Sequence, residues 1–132
     1  MDEIAWFKID DTFGNHPKVK AAGRAAIGLW TACGSYSNAY KLDGFVPDAE
    51  VPTATDRKLA AALVKVGLWH RAQDDCKCRL TTRREDGWYF HDWGDYQPTA
   101  EDIEKDREAA RERQRRSRAR RRQVTPEPDA EP

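Results

Sequence analysis

Residues Arg111 to Arg122 run Arg-Glu-Arg-Gln-Arg-Arg-Ser-Arg-Ala-Arg-Arg-Arg, eight arginines and one glutamate. The block carries +7 in a chain of 132 residues that is neutral overall, so the remainder carries −7. A guanidinium is permanently charged and can bond two phosphate oxygens at once. A dense block of them releases the counterions condensed on a polyanion. Placed on a helix at about 100° per residue, Arg111, Arg115, Arg118 and Arg122 line one face, and Arg113, Arg116 and Arg120 the next. Arg121 is the eighth. No apolar stripe remains, which rules against a coiled-coil seam and weakens a membrane-surface helix. The bland alternative is a solvated, self-repelling tail. Such segments also order on RNA, so DNA and RNA both stay open as polyanions.

A second set of cations lies earlier. Arg57, Lys58 and Lys65 fall on the polar side of a helix expected over about Asp56–Val66. Arginine can read guanine bidentately, while lysine holds phosphate. Asp56 opposes this, since it repels phosphate, and an ordinary solvated basic face has the same pattern. Lys77, Arg79, Arg83 and Arg84 form a third group, with Arg83-Arg84 just before the Asp86-Gly87 turn signal. Asp74, Asp75, Glu85 and Asp86 reduce the charge there, and cations on a hairpin can also serve only to keep an edge strand soluble.

Cys76-x-Cys78, with His70 and His91, raises the question of zinc. One intervening residue is unlike the usual two to four. On a strand both cysteines would face the same side, so the expectation is small apolar residues on the inner face of a hairpin, with no metal and no cofactor. Three cysteines, Cys33, Cys76 and Cys78, are an odd count and suit a reducing cytoplasm rather than a disulfide framework. No Gly-rich phosphate loop, G-x-S-x-G or H-E-x-x-H is present. His91, Asp92 and Asp95 are expected to point different ways on a strand and its exit. The expectation is therefore a protein that is not an enzyme. No secretory signal or membrane-length apolar run is seen, and the expected location is the cytoplasm.

The elements that must position these residues follow from pattern and punctuation. Ile4–Ile9 is rich in strand formers. Pro17 suits the first turn of a short helix ending near Gly23, and His16 beside it could cap that helix. A longer helix runs from Arg24 to about Tyr40, with Ala26, Trp30 and Cys33 on one face and Leu29, Tyr36 and Tyr40 extending it. Gly28 and Gly34 inside it are expected to admit the close approach of another element. Phe45-Val46-Pro47 is a very short strand, and Asp48–Val51 one helical turn. A helix from Thr55-Asp56 stops at Gly67, with Leu59, Leu63 and Val66 sharing a face. Leu68–Trp93 is expected to be a β-hairpin returning through Trp88–Trp93. Of the five tryptophans, Trp30 and Trp69 are assigned to the core, and Trp6, Trp88 and Trp93 also lie at apolar positions. Thr99 and Asp102 mark the start of a final helix near Ala100 that can run into the arginine block.

After Pro98 only Ile103 and Val124 are aliphatic residues larger than alanine. The division is thus a globular domain over 1–98, a basic helical extension over 99–123 and a disordered acidic, Pro-rich tail over 124–132. The element order within 1–98 is that of a winged helix-turn-helix, so the fold class is α+β, mainly α, with an Arg-rich helical extension.

An ordered set of short motifs supports the same fold. Trp6-x-Lys8, His16-Pro17-Lys18-Val19 and Gly28-Leu29-Trp30 are followed by Asp43-Gly44-Phe45-Val46-Pro47. Leu63-Val64-x-x-Gly67-Leu68-Trp69 and His91-Asp92-Trp93-x-Asp95-Tyr96-Gln97 complete the set. Over about residues 3–98 the chain resembles the N-terminal winged-helix domain of bacteriophage and prophage replication proteins, the replisome organisers and DnaD-like helicase loaders, many from phages of actinobacteria. The resemblance implies double-stranded DNA binding in replication initiation or helicase recruitment, with a replicative helicase as a possible partner. Transcriptional regulation is the runner-up, and a protein-interaction adaptor or an RNA binder a further class. A homodimer is compatible with all of these.

Overall fold

The computed structural model describes residues 6–80, 82–83 and 85–124. The fold is α+β and mainly helical. Helices α1 (Pro17–Ala22) and α2 (Arg24–Ala39) lead to strand β1 (Phe45–Pro47), helix α3 (Ala54–Val66) and strands β2 (Trp69–Arg71) and β3 (Gly87–Phe90). A short helix α4 (Trp93–Tyr96) precedes the long α5 (Ala100–Val124). Single 3-10 turns occupy Phe13–Asn15 and Asp48–Glu50. The chain divides into two compact units, Met1–Ala100 and Glu101–Pro132.

Local chemistry sets the helix ends. His16 caps α1, its Nδ1 accepting the Lys18 N–H at 3.1 Å, and Pro17 needs no donor partner at the first position. Thr53 caps α3, its Oγ1 accepting the Asp56 N–H at 3.0 Å, so the helix starts at Ala54, slightly earlier than Thr55-Asp56 suggested. At the other end Gly67 takes the left-handed conformation (φ 89°). Its N–H bonds the Val64 carbonyl, and the Leu68 N–H reaches back to Leu63. This pairing closes the helix and turns the chain directly into β2.

The sheet has the order β1-β3-β2, and both pairings are antiparallel. Phe45 and His70 both sit opposite Tyr89, and Val46 and Arg71 both sit opposite Trp88. On one face Val46, Trp69, Trp88 and Phe90 join Ala26, Trp30, Cys33, Val51, Ala60, Leu63 and Trp93 in the core. The other face carries Phe45 and Tyr89, which are also buried. All four residues of β3 are therefore buried, as befits a central strand covered on both sides.

Several expectations are corrected. The described part of the Ile4–Ile9 segment is not a strand; Ile4 and Ala5 lie outside the described residues. Its backbone is instead held by a side chain. The Gln97 amide accepts the Lys8 N–H at 2.9 Å and donates to the Lys8 carbonyl at 2.6 Å, so one glutamine replaces a neighbouring strand. Phe7 then packs against Trp30, Phe90 and Trp93.

The hairpin is short. Among the described residues, 72–86 contain no strand, so Cys76, Cys78 and Leu80 are not on one. The return strand ends at Phe90, and Trp93 opens a helical turn rather than closing the strand. Tyr40 is exposed and does not extend the α2 stripe. Gly34 sits under the Phe7 ring, where an added Cβ would lie 2.1 Å from Phe7 Cζ, as expected for close approach. Gly28 faces open space and has no such role. Four tryptophans are buried and Trp6 is exposed. No described helix is long and apolar enough to cross a membrane.

Two substitutions test this packing. Gly87 has φ 154°, and an added Cβ would lie 2.2 Å from the Val46 carbonyl oxygen, a backbone atom that cannot swing away. Gly87→Ala is expected to cost about 2 kcal/mol or more in urea unfolding followed by tryptophan fluorescence. Gln97→Ala removes both bonds to Lys8 and is expected to cost about 1–3 kcal/mol by the same measurement.

Candidate nucleic-acid interface

Helix α3 carries the first group of expected contacts. Its apolar side buries Ala60 and Leu63, with Leu59 and Val66 half-buried. Arg57, Ala61 and Lys65, spaced by four, therefore fall on the outward side, and all three are exposed together with Lys58. Arg57 is not idle, because its Nη2 lies 2.8 Å from Asp48 Oδ1 in the preceding 3-10 turn. Both partners are about half exposed, with side-chain exposures of 47% and 44%. Such a pair contributes at most about 1 kcal/mol and yields readily to a competing phosphate.

The second group behaves differently. Arg79 folds inward, its guanidinium donating to the carbonyls of Ala72 at 2.8 Å, Asp74 at 2.9 Å and Arg83. The same group lies 4.8 Å from the centre of the Tyr89 ring. Tyr89 in turn donates its hydroxyl to the Asp74 carbonyl at 2.7 Å. Arg83 pairs with Glu85 at 3.3 Å and lies 5.8 Å from the centre of the Phe45 ring. The loop over 72–86 thus folds back across the second face of the sheet, and two of its cations cover Tyr89 and Phe45. Lys77 is exposed, and Arg84 lies outside the described residues.

The third group forms the C-terminal half of α5, a single helix of 25 residues beginning at Ala100 as the sequence suggested. Arg111, Arg113, Arg115, Arg116, Arg118, Arg120, Arg121 and Arg122 are all exposed. Arg115 and Arg116 share Glu112, and Arg111 reaches Glu104 at 3.4 Å. The hydrogen bond and charge of Arg115, with help from Arg116, hold the Glu112 carboxyl below its usual range. Among the described residues no acidic partner is seen for Arg113, Arg118, Arg120 or Arg122. The helix therefore offers a band of uncompensated guanidinium groups.

A fourth constellation was set aside by sequence spacing and is brought together by the fold. His70 on β2, Cys76 and Cys78 in the loop, and His91 just after β3 place one ligand-type atom each within 4.8 Å of one another. His91 Nδ1 is 2.8 Å from His70 Nε2, 3.3 Å from Cys78 Sγ and 3.8 Å from Cys76 Sγ. His91 Nε2 lies 2.9 Å from Asp92 Oδ2, so these two neighbours do not point different ways as expected. Asp92 reaches it from a left-handed backbone conformation (φ 56°). Burial, and then the nearby His91, lower the basicity of His70. Burial pushes the Cys78 thiol up to about 11, and that of the core residue Cys33 up to about 12. In the metal-free geometry neither of these is a thiolate nucleophile at neutral pH.

The two kinds of loop cation separate experimentally. Arg79→Ala strips three carbonyls of their donor and is expected to cost about 1–3 kcal/mol in urea unfolding. Lys77→Ala should stay within about 0.5 kcal/mol of the parent. Equal effects would show that Arg79 does not hold the loop. No family model, no curated protein and no solved structure matches this chain.

Proposed function

We propose that this chain is a non-catalytic DNA-binding protein with a winged helix-turn-helix unit and a basic helical arm. The observation that carries the reading is the exposed band of eight arginines on α5, whose Arg113, Arg118, Arg120 and Arg122 have no acidic partner among the described residues. Spacing the charges along a rigid helix matches them to a run of phosphates and favours electrostatic, sequence-independent affinity. Binding of structured RNA is the other outcome such a band permits.

The winged-helix reading of the first unit rests on element order and pairing. Helix α3 presents Arg57, Lys58 and Lys65 outward and turns at Gly67 into a β2–β3 hairpin, while β1 completes the sheet at the far edge of β3. In this reading α3 enters the major groove and its basic residues meet bases and flanking phosphates. The loop over 72–86 is the wing, held against its own sheet, with Lys77 as its outward cation. The biological role proposed is replication initiation or helicase recruitment in a phage or prophage setting, with transcriptional regulation as the alternative. A second reading, docking onto a protein partner, is favoured by the exposed aromatic residues Trp6, Tyr40 and Tyr96.

Binding to random duplex and to DNA from the chain's own genome neighbourhood, across a salt series, tests this. If five to seven phosphates are neutralised, log K against log salt should fall with a slope of roughly −4.5 to −6. Removing 111–132 should weaken binding to all DNA alike and flatten that slope, whereas Arg57→Ala should weaken a preferred site selectively. Unchanged affinity and slope after the truncation would refute the arm. Asp48→Ala removes the carboxylate that competes for Arg57 and is expected to tighten binding by up to about 1 kcal/mol in the same titration.

A further inference from the structure

We propose that His70, Cys76, Cys78 and His91 form a four-coordinate structural zinc site that fastens the loop over 72–86 to β2 and to the end of β3. The proposal does not depend on nucleic-acid binding, since it concerns what holds the second face of the sheet.

The first argument is a count of lone pairs. Asp92 presents a carboxylate oxygen 2.9 Å from His91 Nε2, and a carboxylate only accepts, so Nε2 carries a proton. In the neutral ring His91 Nδ1 then has one lone pair. Three groups crowd that single lone pair: His70 Nε2 and the sulfurs of Cys76 and Cys78. It can satisfy one donor well, not three. Protonating the ring does not help, because Nδ1 then has a single N–H to share among the same three neighbours. A divalent cation at the centre gives every one of the four atoms its own partner.

The second argument is geometric. Zn–N bonds of about 2.0–2.1 Å and Zn–S bonds of about 2.3 Å in a tetrahedron put ligand atoms about 3.3–3.8 Å apart. The separations here, from 2.8 Å to at most 4.8 Å, bracket those edges, so small side-chain adjustments would close the site. Two sulfurs and two imidazoles in a tetrahedron suit zinc, and four protein ligands leave no open position, which makes the site structural rather than catalytic.

The third argument is the supporting carboxylate. A ligating histidine commonly donates its far N–H to a carboxylate, which fixes the tautomer and aims the ring. Asp92 does this for His91. The ligands come from β2, from the loop and from the residue after β3, and the metal would pin both cysteines of a long irregular loop to the ends of the two strands it connects. Loops of this length without secondary structure are uncommon in small domains unless something holds them. The same residues also contain a thiol, an imidazole and a carboxylate in the order of a nucleophile, base and orienting group. Cys76 and His70, however, occupy the base nitrogen alongside Cys78, which leaves no place for a substrate there.

The test uses the full chain, expressed with zinc in the medium and purified without chelators. One zinc per chain by mass spectrometry of the metal is expected. After stripping under reducing conditions, Co(II) should give the intense visible bands of a tetrahedral ion and a near-ultraviolet thiolate charge-transfer band, and zinc should displace it. Cys33→Ser should leave these spectra intact, whereas Cys76→Ser or Cys78→Ser should diminish the charge-transfer band. Asp92→Asn keeps a residue that tolerates the left-handed backbone and is expected to bind zinc about 10–100-fold more weakly. A chain without stoichiometric zinc, whose Co(II) complex shows only the faint bands of an octahedral ion, overturns the proposal. So does a charge-transfer band that survives both cysteine substitutions.

Discussion

The burial of β3 on both faces is the constraint from which most of this structure follows. Trp88 and Phe90 face the helices, while Tyr89 and its neighbour Phe45 face the other way and are equally buried. A three-stranded sheet with strands of three and four residues has little area of its own, and an isolated hairpin of that size is marginal. Its second face needs a cover, and the loop joining β2 to β3 contributes Arg79 over Tyr89 and Arg83 over Phe45. Arg79 meets that need in two ways: its fork gathers three loop carbonyls, and its face lies on Tyr89.

This use of Arg79, and of Arg83 over Phe45, divides the cations by role. A guanidinium whose donors are spent on carbonyls is a poor reader of DNA, because binding phosphate would strip the loop of its bonds. Among the described members of the three cation groups, the exposed ones that do not cover the sheet are Lys77 and those on helix surfaces: the outward side of α3, and the arginine band of α5. Helices supply such surfaces easily, since a 3.6-residue period separates a buried side from an exposed one, as the α3 pattern of Ala60 and Leu63 against Arg57, Ala61 and Lys65 shows.

The proposed zinc site addresses the same constraint from the opposite edge of the loop. Arg79 ties the loop to Tyr89, and the metal would tie Cys76 and Cys78 to the ends of the two strands. Together they would give a small unit a rigid second layer without a second hydrophobic core. Small domains commonly need such a staple, because their apolar burial barely offsets the entropy of ordering the chain. The cost of assembling the ligands without a cation is visible in the single imidazole nitrogen shared by three neighbours.

Much of this protein was legible in the order of its residues. The helix boundaries at Pro17, Gly67 and Ala100 were readable because caps and stops are local chemistry. Strand β1 was readable from the Asp43-Gly44 turn signal before a short run of strand formers, and the core place of Trp30 from its spacing with Ala26 and Cys33 on α2. The charge of the arginine block is a property of sequence alone. What tertiary structure decided is everything that depends on chain segments meeting. Gln97 stands in for a strand beside Lys8 across most of the domain, so the apolar richness of the first residues misled. Cys76 and Cys78 lie in an irregular loop rather than on a strand, so their place beside His70 and His91 could not be read from their spacing. Here a histidine on β2 and one just after β3 come to lie beside the two cysteines, and only the pairing of β2 with β3 brings them together.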